Sequence, residues 1–164
     1  KLKKKKYFIE WAKVFNHYYG TSLIKVKKIN NKGKDVLFDI DWQGSRKIKK
    51  KLGKYVVSIF ILPPSKKELI KRLKKRAQDP DHIVKHRLSF YKMELSHWKE
   101  YKYVLINKNL NDTVKKIKVI IEAERYKNFI PVKNLTKQNT KIIYEAKRIA
   151  LQKKNLILKK IKSL

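Results

Sequence analysis

The 164-residue chain contains no cysteine, a single methionine, four glycines and four prolines. Without cysteine there is no disulfide framework, no thiolate nucleophile and no Cys-based zinc site. The glycines stand at positions 20, 33, 44 and 53, and no two of them are five residues apart. A Gly-rich phosphate loop of the form G-x-x-x-x-G-K-[ST] is therefore absent from these residues. No apolar run approaches the roughly 18 residues that cross a bilayer. The opening KLKKKK lacks the long apolar segment that follows in a secretory signal, so a reducing, cytoplasmic setting is expected. Acids are scarce as well: 13 Asp and Glu stand against 45 Lys and Arg, a formal net charge of +32.

Such a charge suggests a polyanion or an anionic membrane as partner. Its make-up argues the other way, because 39 of these residues are lysines, spread over nearly every segment, and six are arginines. Proteins that read bases or grip phosphates lean on arginine, whose planar fork makes bidentate contacts. Dispersed lysine beside abundant isoleucine and asparagine fits A/T-rich codon usage expressed on solvated faces. A hydrophobic content of 42%, with 18 aromatic residues, supports a folded domain with its own core and room for an appendage.

Residues 7–19, YFIEWAKVFNHYY, predict a hairpin or short sheet punctuated by Gly20 and Thr21-Ser22. Thr21 or Ser22 is placed to cap a short helix over SLIKVKKIN, stopped by Asn31-Lys32-Gly33. Residues 35–41 read as a buried strand that Gly44 breaks, and SRKIKKKL as a helix ended by Gly53. The run VVSIFIL, bounded by Pro63-Pro64, predicts a strand buried on both faces, as in a parallel sheet. Ser65-x-x-Glu68 is a capping box opening a helix with Leu69 and Leu73 on one face. Asp79-Pro80 restarts a helix that reaches about Tyr101. YVLIN is a further strand, and Asn111 or Asp112 caps the helix through VKKIKVIIEAE. After Arg125, YKNFIPVKNL reads as a linker. Thr136 then caps a last basic helix to about Ile161, with Ile142, Ala146, Ile149 and Leu156 on its apolar face. Strands alternating with helices predict an α/β fold with a largely parallel sheet.

Three features point to chemistry. Asp39 and Asp41 share one face at the carboxyl end of a predicted strand, where open parallel sheets bind ligands. Such a pair can hold a hydrated cation or accept a ligand's hydrogen bonds. Equally, one can cap the next helix and the other pair with a lysine. Second, Arg72, Arg76 and Arg87 fall within 16 residues, the first two on one helix face. Guanidinium groups on two helices joined by a short turn resemble a mobile lid over phosphates, although exposed helix charges are the plain alternative. Third, Glu10 on a short sheet can accept two hydrogen bonds from a base edge, and the tyrosines of HYYGTS suit a phosphate. The four histidines show no metal-ligating arrangement.

In their order and spacing, FIEWAKVFNHYYGTS, DVLFDIDWQG, SIFILPPSKKELIKRLKKRAQD, KHRL, VLIN and EAER resemble guanylate kinases over roughly residues 6 to 125. The resemblance implies an α/β fold with a P-loop-kinase-like parallel sheet flanked by helices, incomplete at its N-terminus. To this it adds a small β-rich GMP-binding part and a helical lid. Residues 1–33 would be part of the GMP-binding region, 34–125 the core with a lid near 72–87, and 126–164 a linker and basic helix. In such kinases the residue at Glu10 receives hydrogen bonds from the guanine edge, Tyr19 contacts the GMP phosphate and Thr21 helps read the base. Asp39 and Asp41 would line the cleft between GMP and the magnesium–ATP phosphates, with Asp39 reaching Mg2+ through water. Arg72, Arg76 and Arg87 would neutralise the moving phosphoryl group, Arg72 also meeting ATP, and Asn107 would lie near the adenosine. The implied reaction is in-line phosphoryl transfer from ATP to GMP in purine nucleotide metabolism, achieved by positioning and charge neutralisation.

Departures from the family pattern are equally specific. The family's opening strand, P-loop and first GMP-phosphate arginines would lie upstream of Lys1, so the sequence resembles the C-terminal two-thirds of such an enzyme. Without a phosphate loop the chain alone is expected to be inactive. Ala77 stands where glycine is usual, and Lys108 where an acid is usual. Two other readings stay open: a non-catalytic guanylate-kinase-like module that holds phosphorylated peptides, and a basic polyanion-binding protein. No specific nucleic acid and no membrane is expected as partner. Monomer and homodimer both remain open.

Overall fold

In the computed structural model, which describes residues 7–14, 17–77, 81–129 and 134–161, the aromatic-rich start of the chain forms an antiparallel hairpin. Strand β1 (Phe8–Val14) pairs with β2 (His17–Ser22). Gly20 does not end β2 as the sequence suggested. It pairs with Trp11, and the ladder continues through Thr21 opposite Glu10. The register slips between Phe8 and Glu10, and both Ile9 and Glu10 are buried there. An irregularity of this kind can turn two successive side chains inward. Ser22, one of the two predicted caps, opens helix α1 (Leu23–Asn30).

Helix α2 (Trp42–Leu52) begins two residues before Gly44, so that glycine lies inside the first helical turn rather than breaking a strand. Asp41 is the cap. At the other end Gly53 takes φ +54, a left-handed conformation that glycine adopts without strain, and ends the helix as predicted. The strand predicted over residues 35–41 is not formed. Val36, Phe38 and Ile40 pack against the core of Ile9, Val26 and Ile48, whereas Leu37 is 91% exposed. The segment thus keeps the two-residue alternation of an extended chain, but among the described residues no strand pairs with it. These elements make up a first compact unit, Lys1–Val56.

The second unit, Val57–Leu164, is built on two parallel strands. Strand β3 (Ile59–Leu62) pairs with β4 (Tyr103–Ile106) in the register Ile59↔Tyr103 to Leu62↔Ile106. Between them in sequence come α3 (Lys66–Ala77) and α4 (Asp81–Ser96); α5 (Leu110–Phe129) and α6 (Lys137–Ile161) follow. The pleat sends Phe60, Leu62 and Val104 to one face, where Leu95, Tyr101 and, half-buried, Tyr91 and Trp98 cover them. Tyr103 and Leu105 face the other side, against Ile120 of α5 and Ile149 of α6. The architecture is α/β, a small parallel sheet with helices on both faces, as the sequence predicted. Burial on both faces holds for β4 but not for β3, where Ile61 is 47% exposed. Among the described residues both strands are edges of this two-stranded sheet, and the exposure of Ile61 distinguishes β3 from β4.

Helix ends follow local chemistry. The Glu68 amide donates to Ser65 Oγ at 3.1 Å. The Asn139 amide donates to Thr136 Oγ1 at 3.1 Å, while Asn139 Oδ1 accepts from the Thr136 amide at 3.0 Å. Both caps match the sequence reading. The cap of α5 is Asn109 instead of Asn111 or Asp112, with its Oδ1 accepting from the Asp112 amide at 3.2 Å. Helix α4 stops at Ser96, short of Tyr101, because Tyr101 turns into the core against Phe60 at a ring distance of 4.9 Å. Helix α5 runs to Phe129, beyond the point where a linker was expected. Tyr126 to Glu122, Lys127 to Glu124 and Asn128 to the Glu124 carbonyl all bridge its last turns. The Asp79-Pro80 restart and the side chain of Leu156 lie outside the described residues. No helix among the described residues is long and apolar enough to cross a membrane.

Glu124, 2% exposed, ties α5 to β4. Its carboxylate accepts from Tyr103 Oη at 2.6 Å and from Lys127 Nζ at 3.0 Å, and pairs with Lys102. Burial pushes the carboxyl up, but these donors outweigh it and hold it below its ordinary value. Burial, then the bond and charge of Glu124, push Tyr103 well above the ordinary tyrosine value, so its hydroxyl stays a donor. A carboxyl with a lowered folded pKa contributes stability above its unfolded pKa and loses it as pH falls through the folded one. Urea midpoints should therefore drop as pH falls below the ordinary glutamate value more steeply for the natural chain than for Glu124→Gln. Parallel acid profiles for the two proteins would remove Glu124 as the source.

Candidate functional site

The first unit brings three of the expected site residues into one frame. Thr21 on β2 faces Glu10 on β1 across the ladder, and its hydroxyl donates to Glu10 Oε1 at 2.6 Å. Glu10 is 4% exposed, so an ionised carboxylate is held almost entirely out of water. Such a group is costly unless hydrogen-bonded, and charge-assisted bonds of this length are among the strong ones. Its second oxygen, Oε2, faces the backbone of Gly44 in the first turn of α2.

Asp41 opens that turn. Its Oδ1 accepts from the Gly44 amide at 2.8 Å and its Oδ2 from Gln43 Nε2 at 3.1 Å. Of the two roles the sequence left open for the Asp39–Asp41 pair, helix capping is therefore realised by Asp41. Each oxygen has a second lone pair with which to meet a ligand donor. Asp39 lies two residues earlier and is exposed. Tyr19, opposite Ala12 in the hairpin, is 57% exposed.

Lysines of α2 brace the same hairpin. Lys47 donates to the Trp11 carbonyl and lies 4.4 Å from the Trp11 ring, and Lys51 donates to the Ile9 carbonyl. These lysines, Glu10 and Leu23 line a cavity of about 510 Å³. Sequence reasoning missed both residues, because nothing distinguishes them from the other lysines except their i, i+4 spacing on an amphipathic helix. It also missed the close approach of Gly44 to Glu10, for which local sequence carries no signal.

In the second unit the expected residues sit on helices and at a strand end. Arg72 is half-buried on α3 and its Nε donates to Glu68 Oε1 at 2.8 Å, one turn away. Arg76 lies one turn further along the same helix, with its side chain outside the described residues. Arg87 is half-buried on α4. Asn107 follows the carboxyl end of β4, where its amide donates to the Leu62 carbonyl at 2.7 Å. Its Oδ1 lies 3.2 Å from the hydroxyl of buried Thr113, which also donates to the Asn109 carbonyl at 2.8 Å. Asn107 is thus fixed at the place where parallel sheets present ligand-binding groups.

Comparison with known proteins gives consistent matches. A family model described as guanylate kinase matches residues 1–124. A guanylate kinase of Bartonella henselae is 50% identical over 120 residues, covering 73% of this chain and 54% of the relative. One from Rickettsia prowazekii is 51% identical over 128 residues, covering 78% of this chain and 64% of the relative. Among solved structures, the guanylate kinase of Anaplasma phagocytophilum superposes with a TM-score of 0.63 at 35% identity. That match covers 77% of this chain and 61% of the other. The chain thus spans from about half to under two-thirds of the length of these relatives.

Thr21→Val keeps the side-chain shape and removes the one hydroxyl that faces Glu10 Oε1. The buried carboxylate is then left short of a donor, and the urea midpoint should fall by the equivalent of about 1–3 kcal/mol. Thr21→Ser should stay close to the natural chain. Equal midpoints for the Val and Ser variants would show that the bond carries no weight.

Proposed function

Because the chain belongs to the guanylate kinase family, we propose that it carries the GMP-recognition and lid portions of an enzyme that transfers a phosphoryl group from ATP to GMP. The observation that carries this reading is the buried Glu10 carboxylate with Thr21 at 2.6 Å. A guanine edge presents two adjacent donors, and a carboxylate whose orientation is fixed by a hydroxyl is a matched acceptor for them. With its hydroxyl hydrogen donated in a hydrogen bond to Glu10, Thr21 keeps lone pairs on its oxygen to accept from the base. Tyr19, exposed two residues before Thr21, supplies a hydroxyl for the GMP phosphate. Asp41, rigid as a helix cap, and exposed Asp39 complete the acidic side of the nucleotide site.

Phosphoryl transfer places its charge on the equatorial oxygens of the moving group, so guanidinium groups serve it better than a nucleophile would. Arg72, Arg76 and Arg87 take that role here. Glu68 engages only the Nε of Arg72, which leaves the terminal nitrogens outside that bond. An arginine acting on such a group is worth about 10³–10⁵ in rate. Asn107 meets the adenosine, with Thr113 fixing its amide. Magnesium arrives with ATP. The donors fit an ion held chiefly by phosphates and water, with Asp39 reaching it through a water molecule, because among the described residues no group of three or more acids and histidines converges. The cysteine-free composition agrees with a cytoplasmic setting.

Calorimetric titration of the chain with GMP should show saturable binding that AMP does not reproduce. Glu10→Gln should weaken it by about tenfold or more, the loss expected for one charge-assisted hydrogen bond. GMP affinity equal in the two proteins would overturn the assignment of Glu10. The 164 residues contain no phosphate loop, so the isolated chain should bind GMP without GMP-dependent ADP production. Robust turnover by it would contradict the need for that loop.

A further inference from the structure

A methyl group at position 44 would crowd the carboxylate of Glu10 more closely than an ordinary van der Waals contact. A Cβ placed on Gly44 would lie 3.1 Å from Glu10 Oε2, 3.1 Å from Ile40 Cβ and 3.3 Å from Asp41 Oδ1. Backbone conformation does not demand glycine here, since positive φ occurs at Gly33 and Gly53 and not at Gly44. Helix propensity argues against it, because alanine is the better residue within a helix. The requirement is therefore one of space. Neither neighbour can give way easily: Glu10 is 4% exposed with Oε1 bound by Thr21, and Ile40 Cβ is attached directly to its backbone.

The same residue touches the second acid. Its amide donates to Asp41 Oδ1 at 2.8 Å, while its bare Cα borders Glu10 Oε2. We propose that Gly44 is a positioning residue for guanine recognition. The missing side chain sets how closely the first turn of α2 approaches the Glu10 carboxylate, and the amide holds Asp41 in the same frame. One residue without a side chain thereby fixes the spacing of the two acids. The proposal rests on the reading of Glu10 as the acceptor for the guanine edge. Guanine offers its ring N–H and its 2-amino group side by side, and a carboxylate pushed aside by a methyl group meets at most one of them. Selection for the 2-amino group is then the property most sensitive to position 44.

The test is calorimetric titration of the natural chain, Gly44→Ala, Glu10→Gln and the double variant with GMP and with inosine monophosphate, which lacks the 2-amino group. Gly44→Ala should bind GMP about tenfold or more weakly, with a smaller loss for inosine monophosphate. In the Glu10→Gln background the same change should add little, because both act through one carboxylate. Unchanged GMP affinity in Gly44→Ala overturns the proposal and leaves the Glu10 reading standing. So does a loss that is equally large in the Glu10→Gln background, which would mean that position 44 acts through the fold. Absence of GMP binding by the natural chain removes both ideas together. Should Gly44→Ala fail to fold, Glu10→Asp in the same chain shortens the acid by one methylene and opens the space. Recovery of folding supports the steric account, and no recovery overturns it.

Discussion

Glu10 is nine-tenths or more hidden from water, and an ionised carboxylate in that position costs several kcal/mol unless donors meet it. Much of the first unit can be understood as the answer to that cost. The hairpin places Thr21 opposite Glu10, and the register irregularity after Phe8 accompanies the burial of the acid beside Ile9. Helix α2 brings its first turn to the remaining oxygen, so closely that a Cβ at Gly44 would lie 3.1 Å from it. Asp41, capping the same turn, is held at a fixed place relative to Glu10 as a by-product of that packing.

The second unit solves a parallel problem with Glu124. There the donors are Tyr103, Lys127 and Lys102, and they join α5 to the strand beneath it. In a chain with 45 basic and 13 acidic residues, the two acids buried among the described residues are thus organising centres, while most of the described lysines stay on the surface. The two acids differ in kind. Glu124 is closed on every side by its own protein, which suits a structural tie. Glu10 has one hydroxyl and a glycine backbone beside it, which suits an acceptor that has a ligand still to meet.

Dispersed surface lysine and a few placed arginines divide the positive charge by purpose. Lysine on solvated faces adds little stability per pair and serves solubility and long-range attraction of anions. Arginine carries a planar fork of directional donors, and three of the six, Arg72, Arg76 and Arg87, lie on α3 and α4, where the proposed function uses them over phosphates. Binding to nucleic acid is not required to explain a charge of +32 arranged in this way.

Sequence by itself determined what depends on neighbours three or four residues apart. The caps at Ser65 and Thr136, the stop at Gly53, a cap at Thr21 or Ser22 and a hairpin over residues 7–19 were legible, because their bonds close within one turn or one ladder, although the ladder runs on through Gly20 to Ser22. The family motifs assigned Glu10 and Thr21 each to the guanine base without pairing them, and the ladder brings their side chains within hydrogen-bond distance. Only the tertiary structure decided questions of partner and cover. Residues 35–41 alternate like a strand, yet a strand also needs a neighbour to accept its hydrogen bonds. Ile61 is as apolar as Leu62, yet it is 47% exposed while Leu62 is buried, a difference of cover that the sequence does not carry. Gly44 reads as a chain breaker in one dimension. In three dimensions it is the point where a helix meets a buried carboxylate, since close approach of two backbones leaves no trace in local propensity.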